Sequence, residues 1–100
     1  MLFVSPALNI LLDLYISRRE GRAVNVSSAC IASGAPATTA LRYITRLSHL
    51  GFVRKAEDKK DLRVWFVGLT PEGTVLMEHA LDAAMDSDRR LGLGRLQLAQ

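Results

Sequence analysis

The sequence predicts a mainly α-helical domain carrying one small β-hairpin, and three observations point there. Two long apolar helical stretches open and close the chain, each starting on a hydroxyl residue followed by proline. Between them, two shorter helical stretches are separated only by "GAP". After Gly51, two segments rich in aromatic and β-branched residues flank the charged run "EDKKD". A chain of 100 residues forms one domain with a single modest core, so residues 1–100 are read as one unit.

Ser5-Pro6 starts the first helix, because serine caps and proline lacks only an N–H that would be unpaired there anyway. The helix spans residues 5–20, with Gly21 as the stop. Asn9, Asp13 and Ser17 recur every fourth residue and form one narrow strip, while Leu8, Leu11, Leu12, Tyr15 and their neighbours fill the rest. A helix this apolar is covered on more than one side, and the core of so short a chain covers one. "RAVNV" predicts a short strand. Ser27 or Ser28 caps the next helix, which runs to about Ser33, with Val26 stapling onto Ile31 from before the cap.

Gly34 ends that helix, and the tight turn leads into a second one with Pro36 in its first turn. A helix pair joined by a glycine-containing turn of about three residues is a helix-turn-helix, here residues 27–50. In the second helix, residues 36–50, Ala40, Ile44 and Leu47 stand at i, i+4 and i+7 with Leu41 next to Ala40, and all four are assigned to the core. Thr38, Thr39, Arg42, Tyr43, Arg46 and His49 are then left facing away. "FVRKA" and "LRVWFVGL" are the strands of a hairpin over residues 52–69, with "EDKKD" as its loop. Thr70-Pro71 repeats the capped start, and the last helix covers residues 71–90. Helix, short strand, helix-turn-helix, hairpin and helix together make a winged helix-turn-helix. The tail "LGLGRLQLAQ" receives no assignment.

Charge is distributed unevenly. Between Arg18 and Arg63 lie ten Lys/Arg against four acids, whereas Thr70 to Asp88 holds five acids and no Lys or Arg. A basic middle fits a polyanionic partner. No apolar run reaches the roughly 18 residues of a membrane span, and the N-terminus lacks the basic leader and cleavage site of a signal peptide. Cys30 is the only cysteine, which excludes an internal disulfide and fits a reducing cytoplasm. It is read as a small core residue. His49 and His79 stand apart from any ligand cluster, so neither a metal nor another cofactor is expected. No nucleophile–base pair or phosphate-cradling loop is present, and an enzyme is not expected.

Two stretches carry a resemblance to a known family. "TTALRYITRLSHLGFVRK" is similar to the recognition helix, terminal glycine and following strand of the MarR family of bacterial transcriptional regulators. "DLRVWFVGLTPEG" matches that family's wing, Asp-x-Arg followed after five residues by Leu-Thr-x-x-Gly. The resemblance spans about Val26 to Gly73, roughly half the chain. It implies double-stranded DNA as partner, with the wing arginine, here Arg63, entering the minor groove and Asp61 holding it. The chain is shorter than family members, which carry a further N-terminal helix and a longer C-terminal helical region.

The residues agree with a DNA partner on physical grounds. A helix fits the major groove, and arginine donates two hydrogen bonds to guanine. Arg42 is the first candidate base reader and Arg46 the second. Thr38 and Thr39, with Pro36 at the helix start, lie where phosphate oxygens meet free backbone amides. Tyr43 is either a DNA contact or a residue packed on the core edge. Lys59, Lys60, Asp61 and Arg63 belong to the wing, residues 57–63. The surplus apolar surface of the outer helices predicts a homodimer through Leu8, Leu12, Tyr15, Met77, Leu81 and Met85. A cytoplasmic, nucleoid-associated location follows from that reading. A small-molecule effector is compatible with the resemblance but has no residue pattern behind it. Two other readings stay open, a protein-interaction winged helix and an anti-repressor that does not itself read DNA.

Overall fold

The first helix, α1 (Pro6–Arg19), starts as its sequence dictates: the Ser5 hydroxyl accepts the Leu8 N–H at 3.1 Å, and Pro6 fills the first helical position. The computed structural model describes residues 5–91. The first four residues and the tail 92–100 lie outside the described residues. Gly21, at φ +73°, turns the chain out of α1. The predicted strand shrinks to β1 (Val24–Asn25), because Val26 already belongs to α2 (Val26–Ser33). Asn25, not Ser27 or Ser28, caps α2, its side-chain oxygen accepting the Ser28 N–H at 2.7 Å. The expected staple does not form: Val26 packs on the core, whereas Ile31 is 81 % exposed.

The turn between α2 and α3 (Ala37–His49) is fixed from three sides. Gly34 caps α2 in the left-handed conformation, φ +74°, where a side chain would be strained. The buried Ser33 hydroxyl donates to the Cys30 carbonyl at 2.6 Å and accepts the Ala35 N–H at 3.0 Å. Asn9 reaches across from α1 and donates to the Ser33 carbonyl at 2.9 Å. The polar strip on α1 therefore points inward, since Ser17 is also buried. Within it, Asn9 ties α1 to the helix-turn-helix, while the buried Ser17 hydroxyl has no hydrogen-bond partner among the described residues. Pro36 occupies the N-cap of α3 without a side-chain capping bond, and Gly51, φ +83°, terminates the helix beyond Leu50.

Strands β2 (Val53–Glu57) and β3 (Trp65–Leu69) form the predicted hairpin, and β1 adds to the free edge of β3. The sheet is antiparallel, ordered β1-β3-β2, with Val24 opposite Val67 and Val53 opposite Leu69. β3 is shorter than the predicted segment because residues 62–64 close the hairpin loop, where the Val64 N–H donates to the Asp61 carbonyl at 3.0 Å. Helix α4 (Pro71–Leu91) begins at Thr70, whose hydroxyl donates to the Gly51 carbonyl at 2.5 Å and accepts the Gly73 N–H at 3.0 Å. One residue thus caps α4 and ties it to the end of α3.

The core gathers Ile10 and Leu14 of α1, Ala29 of α2, Ile44 and Leu47 of α3, Val53 and Val67 of the sheet, and Met77 of α4. Four helices and a three-stranded antiparallel sheet in this order make a winged helix-turn-helix. Two assignments change. Met77 is 1 % exposed and belongs to this chain's own core, so it cannot lie on a dimer surface. Leu41, assigned to the core, is 46 % exposed on the outer side of α3, and Tyr43 takes the half-buried place beside the core instead. No helix among the described residues is long and apolar enough to cross a membrane.

Candidate nucleic-acid interface

Helix α3 contains no acidic residue. Its inward arc is Ala40, Ile44 and Leu47, all buried. Across the helix, Thr38, Leu41, Arg42, Thr45, Arg46 and His49 line one shallow surface open to solvent. The structure therefore brings Thr38, Arg42 and Arg46 together. Pro36 is exposed at the entrance of the helix, and Thr39 is half-buried at its first turn. Tyr43 stands apart, packed against the core cluster, and is removed from the exposed set. Leu41 and Thr45 join that set. The signal for Thr45 was its spacing of three residues from Arg42.

The hairpin loop is ordered by its own aspartates. Asp58 accepts the Lys60 N–H at 2.8 Å, and its own N–H donates to the Val64 carbonyl at 2.9 Å. Asp61 accepts three bonds from Arg63: from the backbone N–H at 3.0 Å, from Nε at 3.1 Å and from Nη2 at 3.3 Å. These bonds, from the guanidinium first and the backbone N–H second, hold the Asp61 carboxyl below its ordinary range. The Arg63 side chain remains 91 % exposed, so it is aimed without being covered. Lys59 and Lys60 are exposed and form no ion pair among the described residues.

Helix and wing face each other across a groove lined by Leu41 and Thr45 on α3 and by Lys55, Arg63 and Trp65 on the hairpin. Lys55 and Trp65 were not singled out from the sequence. Strand alternation from the buried Val53 would have found Lys55, since side chains two apart share a face of a sheet. The same alternation sends Arg54 to the opposite face, where it lines a cleft with Arg18, Arg22 and Phe66. The basic middle of the sequence is thus two clusters in space, one at α3 and the wing, the other behind the sheet.

The outer helices carry much of the expected exposed apolar surface. Leu8 is 39 % and Met85 53 % exposed, joined by Ile16, Val75 and Leu76. Leu12 and Tyr15 are half-buried against the core, and the Arg19 guanidinium lies 5.8 Å from the Tyr15 ring centre. Leu81 is half-buried. From residue 82 to residue 90, every described side chain of α4 is exposed. Cys30 is buried, and burial pushes its thiol up from the ordinary value. No group of three or more His, Cys, Asp or Glu is placed to hold a metal among the described residues.

No protein-family model matches the sequence, and no curated protein matches it. Solved structures do. The chain is similar to Staphylococcus aureus MepR in a DNA-binding conformation, at 18 % identity and a TM-score of 0.73 over 93 % of this chain and 66 % of that one. It is similar to MepR in a complex with DNA, at 19 % identity and a TM-score of 0.73 over 96 % of this chain and 75 % of that one. Bordetella bronchiseptica BpsR, whose DNA binding is regulated by 6-hydroxynicotinic acid, gives 24 % identity and a TM-score of 0.64 over 87 % and 64 % of the two chains. MepR and BpsR are MarR-family winged-helix regulators. The chain spans about two thirds of the length of the MepR chains it matches, 66 % and 64 %. At such identities the likeness shows the fold, a winged helix-turn-helix.

Proposed function

We propose that this chain is a sequence-specific DNA-binding transcriptional regulator of the MarR type, acting as a homodimer. The observation that carries the reading is the pairing of two basic elements on one side. The acid-free outer arc of α3 presents Arg42 and Arg46, and beside it the wing presents Lys59, Lys60 and an Arg63 aimed by Asp61. A helix of this width enters the major groove, and its arginines meet guanine O6 and N7. Pro36 leaves the first N–H groups of α3 without a side-chain cap, so they and Thr38 are free for a backbone phosphate. The wing then lies over the neighbouring minor groove, with Arg63 as its probe. The neighbour solved with DNA supports this reading.

The dimer follows from the outer helices. Leu8, Ile16, Val75, Leu76 and Met85 are exposed, and the end of α4 has no covering partner within the described chain. A two-fold pairing there would place two copies of α3 about one DNA turn apart, roughly 34 Å. The test of the DNA reading is Arg42→Ala. It should cost about 1–3 kcal/mol per half-site on the preferred duplex and much less on random DNA at the same salt. Folding should be nearly unchanged, because Arg42 is exposed. Fluorescence anisotropy on both duplexes decides it. Equal losses would reduce Arg42 to a phosphate contact, and no loss on either would return this face to solvent.

A further inference from the structure

We infer that Leu41 reads the C5-methyl group of a thymine lying next to the base that Arg42 reads. The inference rests on the DNA reading above and concerns what that face selects. Leu41 is 46 % exposed on α3, one turn before the buried Ile44. Its neighbours on the exposed surface are Thr38, Arg42 and Thr45. Single exposed leucines are ordinary on protein surfaces, so exposure alone means little. Position gives it meaning: Leu41 sits among the hydrogen-bonding groups of Thr38, Arg42 and Thr45, whereas the other leucine of that surface, Leu50, is the C-cap at the end of α3.

The chemistry of the major groove then names the contact. Each base edge there offers donors and acceptors, and thymine adds the one apolar group, its C5-methyl. A leucine gains nothing from an amide or carbonyl edge and would strip water from it. Against a methyl group it removes apolar surface on both sides. Leu41 also borders the groove shared with Lys55, Arg63 and Trp65, whereas Arg42 does not. Leucine and arginine therefore address neighbouring positions, with Leu41 toward the wing.

The size of the effect is that of one buried methyl, about a four-fold change in affinity. The experiment first selects a preferred duplex from a random pool with the full chain. Each thymine is then replaced singly by deoxyuridine, which deletes the methyl and keeps the pairing edge. For the wild type we expect one thymine position per half-site at which affinity falls about four-fold. Leu41→Ala should bind the thymine and uracil duplexes equally there, and Leu41→Val should retain part of the preference. Circular dichroism checks that both variants are folded. A wild type indifferent to every such replacement overturns the inference, as does a preference that survives in Leu41→Ala. A chain that selects no duplex at all overturns the DNA reading itself, which separates the two failures.

Discussion

Replacing Gly73 with alanine sets two physical effects against each other. Gly73 lies in the first turn of α4 with an ordinary backbone conformation, so alanine there brings no strain of its own. By helix propensity the change should stabilise by about 1 kcal/mol. Packing opposes it. A Cβ at this position would stand 2.0 Å from the Phe52 carbonyl oxygen and 3.1 Å from Leu69 Cδ2. The leucine end can rotate away, but the carbonyl cannot. It accepts the Thr70 N–H at 3.1 Å, and the Phe52 N–H is held by the Leu47 carbonyl at 3.0 Å. An ordinary carbon–oxygen contact of about 3.3 Å then requires α4 to retreat by roughly 1.3 Å. Overpacking of this kind costs about 1–3 kcal/mol, and the strained Thr70 bonds to Phe52 and Gly51 add about 1 kcal/mol each. Even after the helix gain, Gly73→Ala should destabilise by about 2–4 kcal/mol. In a domain of this size the melting temperature would fall by about 10 °C or more. Urea and thermal melts followed by circular dichroism measure both. Gly68→Ala is the control, because a Cβ there meets nothing within 4 Å, and it should stay within about 0.5 kcal/mol of wild type. A Gly73→Ala chain as stable as wild type would mean that α4 does not seat against Phe52 as described.

Lys59→Ala and Lys60→Ala should each weaken binding to all DNA alike and flatten the log–log salt slope by roughly one unit per half-site. An unchanged slope in both would place the wing away from DNA. For Cys30, burial raises the thiol pKa, so the folded state favours the neutral thiol; that contribution is full below the unfolded thiol pKa and lost as pH rises through the folded value. Iodoacetamide at about pH 8 should therefore label the native protein slowly and the urea-unfolded protein fast, and fast native labelling would take Cys30 out of the core. Light scattering at micromolar concentration should give a dimer that Leu76→Glu or Met85→Glu dissociates, and a wild-type monomer with and without DNA would rule the pairing out.

Much of this architecture could be read from the chain because the decisive residues are local punctuation. Ser5-Pro6, Gly34, Gly51 and Thr70-Pro71 each act within a turn of where they sit, so spacing alone placed four helices and a hairpin. The wing motif was legible for the same reason: Asp61 and Arg63 bond to each other across two residues. What apolarity obscured was which residues flank a helix's core arc. Ala40, Ile44 and Leu47 hold i, i+4 and i+7 of the helical template, and its i+3 place belongs to Tyr43, with Leu41 at i+1. Apolarity favours Leu41. Angle favours Tyr43: at about 100° per residue, position 43 lies roughly 70° from the centre of that arc and position 41 roughly 90°. Geometry prevailed, because the tyrosine ring can rest its body on the core and keep its hydroxyl at the edge. Helix α4 hid its core face for a related reason. Its inward line runs through Thr70, Gly73 and Met77, a hydroxyl, a missing side chain and one thioether, all buried. A reading that counts apolar residues sees only the last and assigns it to the surface with its neighbours. Both errors come from treating hydrophobicity as the mark of burial. In α3 that error bears on the proposed DNA contact, because Leu41, drawn into the core by its apolarity, is exposed beside Arg42 and is the residue we infer to meet a thymine methyl.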